Sequence, residues 1–120
     1  MIEIIKDLPP DVAAFKAIGK VHKEDYEKIL IPEVDRVAKA FKKINFLLVL
    51  ETDVANYSLG AWIDDAWVGL KHITHWRKLA IVSNQNAVKT VTDFLGHLMP
   101  AKTKGFKLTE LEEAKKWVSE

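Results

Sequence analysis

The sequence predicts an α/β domain: a mixed, mostly parallel sheet of roughly four to five strands with helices packed on it, in the order ββαβαβαβα. Three observations carry this. Short β-branched or apolar runs alternate with longer stretches of helical period along the whole chain. Ile44 to Leu50 is an almost uninterrupted apolar run with polar flanks, which is how a strand buried on both faces reads. The first two strand candidates are separated by a connection too short for a crossover helix, so they form an antiparallel pair, whereas helices join the later strands as parallel neighbours.

The elements follow in order. Met1 to Lys6 is short and β-branched, and Asp7-Leu8-Pro9-Pro10 breaks the chain. Val12 to Val21 reads as a second strand. From Lys23 the period changes: Tyr26, Ile29, Leu30, Val34, Val37, Ala40 and Phe41 share one helical face. Glu24 and Asp25 suit the first turn of that helix. Pro32 kinks or restarts it, which swings Glu33 into solvent. The strand Ile44 to Leu50 leads through a turn, Thr52 to Tyr57, into an amphipathic segment, Ser58 to Trp76. Leu79 to Val82 is the next strand, ended by Ser83-Asn84-Gln85-Asn86, any of which suits a helix cap. Val88, Val91, Leu95 and Leu98 give a helix that stops before Pro100. A basic loop, Lys102 to Lys107, leads to a last short strand around Phe106 to Leu108. Thr109 with Glu112 forms a capping box, and Leu111, Ala114, Trp117 and Val118 give the final helix its apolar stripe.

Composition bounds the function. With 120 residues and 13.6 kDa, the expectation is one domain over residues 1–120. Hydrophobic content of 48% beside 29% charged residues is globular composition. Eighteen basic and seventeen acidic residues leave a net charge of +1, so no global field favours nucleic acid. The absence of cysteine rules out disulfides and thiolate chemistry and fits a reducing cytoplasm. No signal-peptide pattern and no run of membrane-spanning length is expected.

Three segments carry a family resemblance: KVHKEDYEKILIPEVDRV, YSLGAWIDDAWVGLKH and the closing LTELEEAKKWV. They resemble the bacterial SpoIIAA-like proteins, small domains related in fold to STAS domains and anti-sigma-factor antagonists. The resemblance covers nearly the whole chain, and L-G-A-W with G-L-K-H is its most distinctive part. It implies a SpoIIAA/STAS-like sheet and a binding role. In the anti-sigma antagonists a serine at the start of the helix after the central strand is phosphorylated. Ser58 is in a similar place, which makes it a candidate phosphosite, but Tyr57 stands where the antagonists carry an acidic residue.

Residue constellations narrow the reading further. The turn and helix start offer Asp53, Asn56, Tyr57 and Ser58 as candidate binding residues, at the carboxyl end of a central strand where open α/β sheets bind partners. At 100° per residue, Leu59, Trp62, Ile63, Ala66, Trp67, Leu70 and Ile73 share one arc facing the sheet. Trp62 and Trp67 could line an apolar pocket, although such stripes are more often core. His72 and His75 are helical neighbours without a located third ligand, and nothing brings His22 or His97 to them, so no metal is expected. Asp64 and Asp65 diverge around the helix and cannot pair as acid and base. GKVHK lacks the glycine spacing of a phosphate loop. Lys102, Lys104 and Lys107 read as a solvated loop with little interleaved aromatic surface. The expectation is a non-enzymatic binding domain without cofactor that recognises a protein, with a homodimer left open. The alternative is a carrier of a small apolar, lipid-like ligand between the sheet and the Trp-rich helix.

Overall fold

The computed structural model describes residues 1–18, 23–51, 76–83 and 102–120. Its strands are β1 (Ile2–Ile4), β2 (Val12–Ala17), β3 (Ile44–Leu50), β4 (Trp76–Ser83) and β5 (Lys102–Lys107). They form one five-stranded sheet whose spatial order, β1-β2-β3-β4-β5, repeats the chain order. β1 runs antiparallel to β2, and the other three pairs are parallel. The helical elements described are α1 (Lys23–Asp25), a π-helical turn (Tyr26–Leu30), α2 (Ile31–Phe41), a 3-10 turn (Leu108–Glu110) and α3 (Leu111–Ser119). The mixed, mostly parallel α/β class and the antiparallel edge are as the sequence predicts. The helices expected after β3 and after β4 lie outside the described residues.

Alternation along the strands divides the apolar residues between two faces. On one face Val12, Ala14, Leu47, Val49, Ala80, Val82 and Phe106 form a cluster with Ala114 and Val118 of α3. Leu111 and Trp117 of the same helix pack against it, so the predicted stripe of the last helix is the observed one. The opposite face carries Ala13, Phe15, Phe46, Leu48, Leu79 and Ile81, all buried. α2 packs on β2 and β3 with Val34 and Val37 fully buried. Ring contacts run along that face from Phe15 to Phe46 at 5.6 Å and from Phe46 to Trp76 at 6.0 Å. With both faces covered, every residue of β3 is buried. Truncating Leu47 or Ile81 to alanine should therefore cost about 2–5 kcal/mol.

Beneath the amino ends of the strands lies a polar network. Asn45 is 1% exposed inside an otherwise apolar strand. Its Nδ2 donates to Asp11 Oδ2 at 3.3 Å, and its Oδ1 accepts from Arg77 Nη1 at 3.1 Å. Lys43 completes the charge balance of Asp11 at 3.4 Å. A β-bulge makes this geometry: Ile44 pairs with Trp76 but Asn45 pairs with Lys78, which leaves Arg77 as the extra residue. Arg77 and Lys78 then both reach the end of α3, donating at 2.9 Å to the carbonyls of Glu120 and Trp117 respectively. Cations at those terminal carbonyls complement the helix dipole.

Several boundaries differ from the sequence reading. β2 ends at Ala17, short of Val21, and residues 19–22 lie outside the described residues. Pro32 does restart the helix, at its first positions, and the break takes the form of the π-helical turn just before it. The restart turns Ala40 and Phe41 outward, and Phe41 is 38% exposed. Glu33 is not swung into solvent. Its side chain is 17% exposed because it grips Arg36, whose Nε donates to both carboxylate oxygens at 3.2 and 3.1 Å. Trp76 opens β4 and does not close a helix, since the buried edge of Phe46 offers its ring a site. Ser83 is the last residue of that strand. Lys102 to Lys107 is not a loop but the edge strand β5, hydrogen-bonded to β4 along its length. The Thr109–Glu112 capping box is replaced by an earlier start, where the Lys107 N–H donates to Glu110 Oε1 at 2.8 Å.

Candidate functional site

The candidate segment after the central strand is anchored by what ends β3. Leu50 is buried beside Ala17 of β2, and the Glu51 N–H donates to the Ala17 carbonyl at 3.1 Å. The Glu51 carboxylate, half exposed, pairs with Lys16 at 3.1 Å. On the other side of β3, one position past the paired Val49 and Val82, Ser83 is fully buried. Its hydroxyl has no hydrogen-bond partner among the described residues. The carboxyl edge thus presents an ion pair and a buried hydroxyl flanking the point where the chain leaves the middle strand.

Asp53, Asn56, Tyr57 and Ser58 themselves lie outside the described residues, as do Trp62, Trp67, Asp64 and Asp65. So do all four histidines, His22, His72, His75 and His97. Among the described residues no group of three His, Asp or Glu side chains is placed to hold a metal ion.

A cavity of about 330 Å³ opens elsewhere, between the β1–β2 connection and α2. Ile4, Ile5, Leu8, Pro9, Pro10 and Val12 form its walls, and Lys6, Glu33 and Arg36 its charged rim. The Glu33–Arg36 ion pair satisfies both charges within that rim.

A sequence profile of the SpoIIAA-like family matches residues 12–119, which takes in the sheet from β2 onward and all of α3. The chain belongs to the SpoIIAA-like family. No curated protein and no solved structure matches it significantly. Its sheet agrees with a SpoIIAA/STAS-like α/β arrangement. No described helix is long and apolar enough to cross a membrane.

One grouping in this SpoIIAA-like chain escapes the sequence reading. Lys78 Nζ sits 5.1 Å from the Trp117 ring centroid, and Lys104 Nζ sits 6.0 Å from the same ring and 5.1 Å from that of Phe106. Phe106 and Trp117 are themselves in contact at 5.9 Å. The strand β5 with its i,i+2 lysines makes the grouping. A loop reading of that tract hides the period that would have shown it.

Proposed function

We propose that this SpoIIAA-like domain is a non-enzymatic regulatory module of the cytoplasm that recognises another protein through the segment after β3. Asp53, Asn56, Tyr57 and Ser58 are its contact residues. The observation that carries the reading is the family match over residues 12–119, joined to a central strand buried on both faces that delivers this segment at the carboxyl edge. The strand order adds support. Small-ligand crevices in open α/β sheets form where the strand order reverses, and here it runs unreversed from β1 to β5. A sheet without that crevice suits a surface-to-surface contact.

Ser58 as a phosphosite belongs to the same reading. A phosphate there would put nearly two negative charges on the contact surface and reverse binding. A carrier role draws less support, because Leu48, Leu79 and Ile81, on the sheet face opposite α3, are at most 2% exposed. The experiment is recovery of the protein from its native cells with bound partners. Phosphosites are mapped, and Ser58→Ala and Tyr57→Ala are compared with the unaltered chain. The expected result is loss of the same specific partner in both variants. Unmodified Ser58 ends the switch, and an unchanged partner set ends the recognition role of this segment. Native mass spectrometry of the same material, if it found a stoichiometric apolar small molecule, would favour the carrier.

A further inference from the structure

β5 is the last strand of the sheet, and it is rich in lysine. Lys102 and Lys104 are exposed and share the face on which α3 packs, and Lys78 lies directly across from Lys102 on β4. Neighbouring strands are about 5 Å apart and alternate residues about 7 Å, so three ammonium-bearing side chains spring from one small area. Lys16, Lys39, Lys43, Lys115 and Arg36 each hold a carboxylate. Among the described residues Lys78, Lys102 and Lys104 hold none. Two of these ammonium groups converge instead on the Trp117 ring, within 6.0 Å of its centroid.

Lysine on an edge strand commonly serves to prevent sheet-to-sheet association. That role accounts for side chains that project into solvent, as at Lys102 and Lys107. It does not account for Lys104, whose ammonium is drawn over the Phe106 and Trp117 rings, close to Lys78 where that lysine holds the Trp117 carbonyl. Nor does positive charge repel every strand: it excludes neutral and basic ones and attracts an acidic one. We propose that the strip formed by Lys78, Lys102, Lys104 and Trp117 docks an extended acidic segment of a partner protein. The segment runs along the outer edge of β5 and sets carboxylates at alternate positions beside Lys102 and Lys104. Main-chain pairing supplies affinity, and the lysines select for charge. The net charge of the chain is only +1, so the attraction that this strip offers an acidic chain is local and not a property of the whole surface. Lys78 and Lys102 lie toward the amino ends of their strands, whereas the segment proposed above begins at the carboxyl end of β3.

The test uses the full chain and a labelled short peptide alternating glutamate and valine. The same peptide with lysine for glutamate and a single-stranded oligonucleotide serve as competitors. The acidic peptide should bind, shift the Trp117 indole N–H resonance, and slow amide exchange along β5. Affinity should fall about tenfold or more in the Lys102→Glu/Lys104→Glu variant and fall again with added salt. Lys102→Gln/Lys104→Gln, which removes charge without reversing it, should give a smaller loss, and its urea midpoint reports that the fold is kept. Ser58→Ala and Tyr57→Ala should bind the acidic peptide unchanged, which separates this surface from the segment after β3. Equal binding of the acidic and basic peptides overturns the proposal. So does peptide affinity indifferent to both lysine variants, or an oligonucleotide that binds the same lysines more tightly than the peptide.

Discussion

Asp7 Oδ2 accepts a hydrogen bond from Lys115 Nζ at 3.0 Å, tying the β1–β2 connection to the last helix across 108 residues of sequence. The Lys115 hydrogen bond lowers the Asp7 pKa below its ordinary value of 3.8, and the same bond raises Lys115 above 10.5. A depressed carboxylate pKa contributes stability above the unfolded value and loses it as pH falls through the folded one. A raised ammonium pKa contributes below the unfolded value and loses it as pH rises through the folded one. The tie is therefore constant between about pH 4 and 10 and fails at either extreme. Urea midpoints of the wild type and Asp7→Asn should differ by a fixed amount at neutral pH and converge below about pH 4. A gap unchanged down to strongly acidic pH would show that the pair is not the cause.

The Asn45 amide, 1% exposed, bridges a partly exposed Asp11 and an exposed Arg77. Asn45→Ala should cost about 1–3 kcal/mol, because it removes two hydrogen bonds with a net worth of about 0.5–1.5 kcal/mol each. A double-mutant cycle with Arg77→Ala should show coupling of at least about 0.5 kcal/mol, since the two share one hydrogen bond. Strict additivity in equilibrium unfolding would mean that Arg77 acts only through the end of α3.

Lys42 closes α2 in the left-handed region, at φ 57°, with its N–H donating to the Ala38 carbonyl at 3.0 Å. A side chain is strained there and glycine is not. Lys42→Gly should stabilise the fold by about 0.5–1 kcal/mol. Thermal unfolding at an unchanged or lower midpoint would contradict the assigned cap geometry.

Ser83 buries a hydroxyl for which no partner is described. Removing it should be neutral or stabilising, with a gain for Ser83→Ala of up to about 1–3 kcal/mol. A destabilisation of that size would reveal a partner in the segments that pass the carboxyl edge.

How far these features could be read beforehand follows from how much of the chain obeys a single period. Ile44 to Leu50 announces itself because strands covered on both faces need no polar alternation, and all seven residues are buried. The β1–β2 pairing is legible from the shortness of the connection alone. Trp76 is not, because a large aromatic residue satisfies a helical stripe and a strand start equally well. β5 hides because Phe106 is its one buried residue, so lysines mask the alternation. Asn45 reads as an exception within an apolar run, and only the bulge shows why Arg77 reaches it. The candidate contact residues Asp53 to Ser58 rest on position in the chain: the end of β3 fixes where they begin, and their own geometry lies outside the described residues.

The agreement between spatial and chain order has a bearing on how the molecule is made. Each new strand finds its neighbour already synthesised, so the sheet can lengthen one strand at a time from the ribosome. α3 arrives last, and until it docks, Leu47, Val49, Ala80, Val82 and Phe106 have no cover from it. A nascent or clipped chain lacking residues 111–119 would lose the cover of α3 over this apolar cluster, and exposed apolar sheet surface is prone to self-association.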